Sequence, residues 1–248
     1  MNDVVENGRP SVSVIIPTLN EEQSIGATLE GIAHVKGEFE VIVADGGSED
    51  RTIEIARQFG ARVIAGDQGR GTQMHNGARA ARGQTFLFLH ADTVAPGDLV
   101  VQIIEALLSN ETALGGNCDI RFDGTSRAAS FMTWLYPKLG NLGLCYGDSG
   151  IFVRASVYKE IGGFNSFPLF EDLDFVKRLK KRGQMIHLPI ELVTSARRFE
   201  GRRFPFTFAR WSILQALYWI GVSPRTLSRL YAPLRKQDLQ SLAEKVRL

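Results

Sequence analysis

The chain is poor in cysteine, in net charge and in long apolar runs, and each shortage excludes something. Its two cysteines, Cys118 and Cys145, form no CxxC pair and no disulfide framework, which suits a reducing compartment. The 29 Lys and Arg residues nearly cancel the 27 Asp and Glu, so a formal charge of +2 is too small to make nucleic acid the main partner. The longest uncharged run near the C-terminus, Trp211 to Pro224, is too short and too mixed to span a bilayer, which takes about 20 apolar residues. The opening segment, MNDVVENGRPSVSVIIP, lacks a basic region followed by an apolar run of signal-peptide length, so the expected location is cytoplasmic. No repeat or low-complexity segment interrupts the pattern, and no GxGxxG follows the first strand, which removes a dinucleotide-binding dehydrogenase from consideration. With 44% hydrophobic and 23% charged residues over 248 positions, the chain can bury a sizeable core.

What is present is a strand–helix alternation. Ser11–Pro17 predicts a first strand, and Asn20-Glu21-Glu22 then opens a helix with Ile25, Leu29 and Ile32 at helical spacing. Phe39–Ala44 predicts a second strand, a helix over 49–59 closes at Gly60, and Ala61–Ala65 makes a third. A glycine-rich loop around Gly69-Arg70-Gly71 feeds a helix ahead of Phe86-Leu87-Phe88-Leu89, four apolar residues that predict a strand buried on both faces. Further on, a helix over 99–108, a strand over 114–122, a helix over 127–139, a turn at 147–150 into a strand and a helix over 171–179 precede a short strand at Met185–Leu188. Such alternation argues for a largely parallel sheet with right-handed crossovers.

In an open α/β sheet, ligands collect at the carboxyl ends of the strands. The first strand ends in Pro17-Thr18-Leu19-Asn20-Glu21, the second in Asp45-Gly46-Gly47 and the fourth in His90-Ala91-Asp92, so three polar loops should share one edge. Each residue taken singly has a plainer role. Asp92 could cap the helix near Pro96, Asn20 and Glu21 could serve a helix N-terminus, and Asp45 could be a turn residue. Their coincidence at strand ends is the informative feature.

Together SVIIPTLNEEQSI, VADGGSEDRT, FLFLHADT, GDSGIFVR and the downstream EDLDF resemble family 2 glycosyltransferases of the GT-A fold, over roughly residues 12 to 200. The likeness is to short soluble bacterial and cyanobacterial members carrying HAD in place of DxD. It implies an α/β chain with a mostly parallel, Rossmann-like sheet flanked by helices and a C-terminal helical appendage. A glycosyltransferase domain would span 1–203, with a nucleotide-sugar half over about 11–95, an acceptor half over about 96–203 and a tail over 204–248. The implied activity, of hexosyl type, moves a sugar from a nucleotide-diphosphate donor such as a UDP-sugar to a hydroxyl acceptor with inversion. A divalent cation, Mn²⁺ or Mg²⁺, would neutralise the leaving diphosphate.

Carried onto matching positions, the resemblance makes Asp92 the metal ligand, while His90 is a second ligand, a partner of the ribose or a packed core histidine. It assigns the nucleotide to Pro17, Thr18, Leu19, Glu21, Asp45, Gly46, Gly47 and Ala91. Arg70, freed by its flanking glycines, would clamp phosphate or lie on the surface. Glu171-Asp172 matches the family's ED motif, in which Asp172 is the general base; the alternative is a first-turn carboxylate, and helical spacing sends Asp174 to another face. Gly147, Asp148 and Ser149 match a segment that closes over the sugar. Arg197 and Arg198, with Arg202 and Arg203, would bind donor phosphates, rim the site for an anionic acceptor or membrane, or form a solvated loop.

The aromatic tail beginning at Phe204 (Phe206, Phe208, Trp211, Tyr218, Trp219) suits a helix lying at a membrane interface, which would bring the site to a lipid-linked acceptor and place the protein peripherally on the inner membrane face; it suits equally a helix packed on the main body or on a second copy through 204–222. Two other functions compete: a nucleotidyltransferase, for which Gly69-Arg70-Gly71-Thr72 stands after the wrong strand, and a nucleotide-sugar-binding protein without transfer.

Overall fold

The computed structural model describes residues 10–141, 144–198 and 204–231. Among these residues eight strands form a single sheet in the order β3-β2-β1-β4-β7-β6-β8-β5. The first four, β1 (Val12–Thr18), β2 (Phe39–Asp45), β3 (Arg62–Ala65) and β4 (Thr85–Phe88), are parallel, with Val14 level with Val41 on one side and Leu87 on the other. The carboxyl ends of β1, β2 and β4 therefore fall on one edge.

The period-two alternation of a strand sends successive side chains to opposite faces. Val12, Val14 and Ile16 of β1 join Leu87 and Leu89 in a core against α1 (Ile25–Ala33) and α4 (Leu99–Ser109). Ile15, Phe86 and Phe88 enter a second core on the other face, with Met74 and Ala78 of α3 (Arg70–Ala80) and Phe175 and Leu179 of α7 (Glu171–Arg182). The all-apolar run before His90 is thus one strand feeding two cores. Gly77 lets α3 lie close on the sheet, because a methyl group there would collide with Ile15.

Several boundaries differ from expectation. The helix expected from Asn20 begins at Ile25 instead: Asn20 adopts a left-handed φ of 54°, and the N–H groups of residues 20–22 donate across to side chains of the 48–52 loop, while the Glu21 carbonyl accepts from the Ile25 N–H. Between β4 and β6 (Ala113–Phe122) runs β7 (Phe152–Arg154), antiparallel to both, entered from a 3₁₀ turn at Gly147–Ser149. The last long strand does not stop at Leu188. Pro189, which cannot donate to the ladder, is passed by a register shift between Cys118 and Asp119 of β6, and β8 continues over Gln184–Thr194. Its far end pairs with β5 (Thr93–Val94), a two-residue strand that no sequence pattern announced, and so meets the segment just after Asp92.

A third apolar cluster gathers Phe122, Met132 and Ala196 with Phe204, Phe208 and Trp211, packing α5 (Arg127–Asn141) against α8 (Phe204–Trp219). α9 (Pro224–Tyr231) lies on α8, where Arg210 donates to the Leu230 carbonyl at 2.6 Å. The self-packing expected of part of the tail is present, while Arg202, Arg203, residues 232–248 and the N-terminal nine lie outside the described residues. No helix among the described residues is long and apolar enough to cross a membrane.

Candidate active site

The edge at β1 and β2 is a stitched polar corner. Asp45 is 1% exposed and accepts from the Thr18 hydroxyl at 3.0 Å, from the Ser48 hydroxyl, and from the backbone N–H groups of Gly47 and Ser48 at 2.9 and 2.8 Å. Those four donors occupy what a carboxylate can accept, so Asp45 fixes the Gly46-Gly47 turn. Beneath it Gln73 of α3 donates to the carbonyls of Thr18 and Ala44 at 2.6 and 3.1 Å, tying the two strand ends together. Pro17 and Leu19 stay half-buried on the rim and Gly47 is exposed.

Arg197 joins this corner to the end of β4. Its guanidinium donates to both carboxylate oxygens of Glu21 at 2.7 and 2.6 Å and lies 3.3 Å from Asp92 Oδ2. β8 puts it there: the Ser195 N–H donates to the Asp92 carbonyl at 3.1 Å and the Thr93 and Thr194 hydroxyls meet at 3.2 Å. Burial alone would lower the Arg197 pKa, but Glu21 and Asp92 outweigh it and hold the charge firmly. Ala91 is buried, and its carbonyl accepts from the Thr28 hydroxyl at 2.8 Å. Arg198 ends the 3₁₀ turn Ala196–Arg198, its side chain lying outside the described residues.

Arg70, at the start of α3, is the second hub. It is in ion-pair contact with Glu171, lies 3.4 Å from Asp172 Oδ2, and reaches His90 Nε2 at 3.4 Å. Burial opposes its charge, yet the two carboxylates drive its pKa upward. Burial drives the Glu171 pKa up as well, with the Asp172 charge adding and Arg70 opposing. The surface role considered for Arg70 is therefore not what it does. A phosphate clamp would use the same guanidinium that now neutralises two acids.

Asp172 is held on three sides. Its Oδ2 accepts from the Gly147 N–H at 2.7 Å as well as from Arg70, and its Oδ1 accepts from the Leu173 N–H at 2.8 Å. A Cβ at Gly147 would sit 3.1 Å from Asp172 Oδ2 and 3.4 Å from His90 Nε2, so any side chain there would crowd both groups. Asp174 turns away to Asn165 and Arg178, as helical spacing predicts. Asp172 heads a cavity of about 440 Å³ whose wall continues through α5 and α8. A smaller hollow next to it, about 30 Å³, is bordered by Asp92; His90, Asp148, Tyr136 and Trp211 line both spaces. The two acids that the sequence singles out thus open onto adjoining hollows.

Asp92, His90 and Asp148 border the small hollow, but the described residues contain no group of three His, Cys, Asp or Glu side chains able to hold an ion by themselves. That donor set fits a divalent cation bound through one or two protein ligands and completed by substrate phosphates and water, the usual habit of Mg²⁺ at phosphate-bearing sites. His187 stands apart, 3.1 Å from Asp119. Ser149 is buried, its hydroxyl donating to the Tyr146 carbonyl at 2.6 Å, so it shapes the turn, while Asp148 accepts from the Tyr136 hydroxyl at 3.0 Å. Sequence reasoning missed Gln73, Tyr136 and the wall of α8 that contributes Trp211. Gln73 left no trace, because it sits among Arg70, Thr72, His75 and Asn76 in a helix rich in polar residues.

Comparison with known proteins agrees with this architecture. The family model described as glycosyl transferase family 2 matches residues 13–159, ending before Asp172. A PGL/p-HBAD biosynthesis glycosyltransferase of Mycobacterium bovis is 30% identical over 181 residues, covering 67% of this chain and 68% of the relative. A dolichyl-phosphate hexose transferase of Haloferax volcanii is 32% identical over 184 residues, covering 72% and 76%. Among solved structures, the glucosyl-3-phosphoglycerate synthase of Mycobacterium tuberculosis, crystallised with Mn²⁺, UDP and glucosyl-3-phosphoglycerate, superposes with a TM-score of 0.59 at 21% identity, over 86% of this chain and 81% of that one. Residues 1–349 of S. aureus TarS, in complex with UDP-GlcNAc, give 0.60 at 18% identity over 79% of this chain, which spans 60% of that structure. These likenesses identify the fold as GT-A. With more than half of its length matched by the family model, the chain belongs to glycosyl transferase family 2 and is a glycosyltransferase.

Proposed function

We propose that the protein transfers a sugar from a nucleotide-diphosphate donor to a hydroxyl acceptor, with inversion at the anomeric carbon and with a divalent cation. The observation that carries the proposal is the placement of Asp172, oriented by Gly147 and Arg70 at the head of a cavity, beside the hollow that Asp92 borders. In this scheme Pro17, Thr18, Leu19 and Glu21 with Asp45, Gly46, Gly47 and Ala91 form the nucleotide side. Gly147, Asp148 and Ser149, with Arg197 and Arg198, flank the sugar. The UDP and UDP-GlcNAc complexes of the solved neighbours favour a uridine donor, and the Mn²⁺ in one of them favours that ion.

Asp92, helped by His90, would hold the cation, which when bound offsets charge on the leaving diphosphate. The remaining chemistry belongs to the chain. Asp172 accepts the acceptor hydroxyl's proton as its oxygen forms the bond to the anomeric carbon and the bond to the diphosphate breaks. Arg70 and Arg197 supply fixed positive charge beside the leaving group. The 1–203 body carries this chemistry and α8, at the start of the 204–248 tail, faces the acceptor, in a protein working in the cytoplasm or against its membrane.

A thermal-shift panel of nucleotide sugars with and without Mn²⁺ tests the donor and the ion together. A cation-dependent rise in Tm with one nucleotide, weakened in Asp92→Ala, is expected. Donor binding with neither transfer nor slow donor hydrolysis would favour a binding protein instead.

A further inference from the structure

The cavity at Asp172 has the wrong walls for a free sugar. Met132, Leu135 and Leu139 of α5 face Trp211, Leu214 and Trp219 of α8 across about 440 Å³, a volume typical of small-molecule sites. The polar groups on this wall are mostly spent on protein partners. The Tyr146 hydroxyl donates to Gln215 Oε1 at 3.0 Å, the Tyr136 hydroxyl donates to Asp148, and the Ser212 hydroxyl donates to the Phe208 carbonyl at 3.0 Å. Gln215 Nε2 is buried with no partner among the described residues, one donor for one oxygen. A polyhydroxylated acceptor would leave hydroxyls without partners against this wall, which is unfavourable because they give up their bonds to water.

The apolar character also runs outward. Trp219 lines the cavity yet is 58% exposed. An apolar wall that reaches solvent at Trp219 gives an apolar ligand a way into the cavity.

We propose that the acceptor is an alcohol carried on a long apolar chain, with the chain seated between α5 and α8 and the hydroxyl directed to Asp172. The inference rests on the transfer reaction proposed above and names its acceptor class. Binding is testable without turnover, by titrating primary n-alkanols from butanol to decanol and following tryptophan fluorescence. Saturable binding is expected, tightening about fourfold per added methylene, the equivalent of about 0.8 kcal/mol for each buried CH₂. Leu139→Glu, at a half-buried wall position, should weaken decanol at least tenfold and leave the nucleotide-sugar thermal shift in place. If that variant does not fold, Ser212→Trp, which fills the cavity from its exposed side, should do the same.

Absence of saturable binding, or affinity independent of chain length, overturns the inference. So does sedimentation with anionic vesicles in a protein that ignores the alkanols, because it assigns the exposed hydrophobics of α8 to surface attachment alone. Alkanol binding in a protein that binds no nucleotide sugar would instead sink the transfer reaction and spare the cavity.

Discussion

The two ends of the proposed active-site edge, donor and acceptor, are built on opposite principles. At the donor end, Asp45, Gln73, Glu21 and Arg197 cross-link three loops through hydrogen bonds between side chains and backbone, and little apolar surface is involved. At the acceptor end a carboxylate and an arginine look into a space walled by leucines and tryptophans from two helices. A corner of saturated polar groups can hold one geometry for a ligand whose phosphates and ribose vary little. A greasy cavity between helices can be resized by single substitutions, so the acceptor can change while the donor corner stays as it is.

The largest expected effect separates the two ends chemically. Asp172→Asn keeps an oxygen for the Gly147 N–H but cannot take a proton, so the transfer rate should fall roughly 10²–10⁴-fold. Donor affinity, measured by titration calorimetry, should stay within about twofold because the polar corner is untouched. Transfer at the wild-type rate would remove Asp172 as the base, and a parallel loss of donor binding would show that the ends are not separable.

The same contrast explains what the sequence could disclose. Donor-end residues sit within a few positions of parallel strand ends, where alternation and turn residues place them: Asp45, Asp92 and the glycines were legible for that reason. Arg197 stood out only as part of a basic cluster, because its role depends on β8 running past Pro189 and on the two-residue β5, both set by tertiary pairing. Asn20 misled in the opposite sense, resembling a helix start while its left-handed turn serves the neighbouring loop. The cavity had no local signature at all. Leu139 merely ends the expected 127–139 helix, Trp211 and Trp219 read as membrane-facing or packing aromatics, and only the packing of α5 on α8 makes them one wall.

A smaller effect should appear in stability at the hinge between the ends. Replacing Arg70 by Met leaves Glu171 and Asp172 side by side in a buried setting without their cation. Arg70 is 34% exposed, which discounts the loss to about 2 kcal/mol, or a fall in Tm of roughly 4–8 °C. Adding Glu171→Gln should restore about half of it by removing one of the stranded charges. An unchanged Tm in the single variant would mean that the pair is solvated and that the acceptor end is wetter than its walls suggest.

Gln73→Leu probes the donor corner in the same currency and should cost less. The Thr18 carbonyl keeps the Gly46 N–H at 2.9 Å, so removal of the amide withdraws only part of its satisfaction. About 1 kcal/mol is expected, together with weaker donor binding, since the Gly46 turn rests on this side chain. Stability lost without any change in donor affinity would mark Gln73 as a strut and not a shaper of the corner.

The least of the effects is a difference between two thiols. Cys118 lies within β6, and burial pushes its pKa up to about 12, which leaves roughly one thiolate in ten thousand at pH 8. Burial raises the Cys145 pKa too, but this thiol adjoins Leu144 on the cavity wall and donates to Asn117 Oδ1 at 3.3 Å. If the helix-walled end opens more readily than the sheet, a thiol reagent at pH 8 should label Cys145 first, and decanol in the cavity should slow that labelling severalfold. Equal rates at the two positions would place both thiols in one cooperative unit and erase the mechanical part of the contrast, because Cys118 is released only when the sheet itself comes apart.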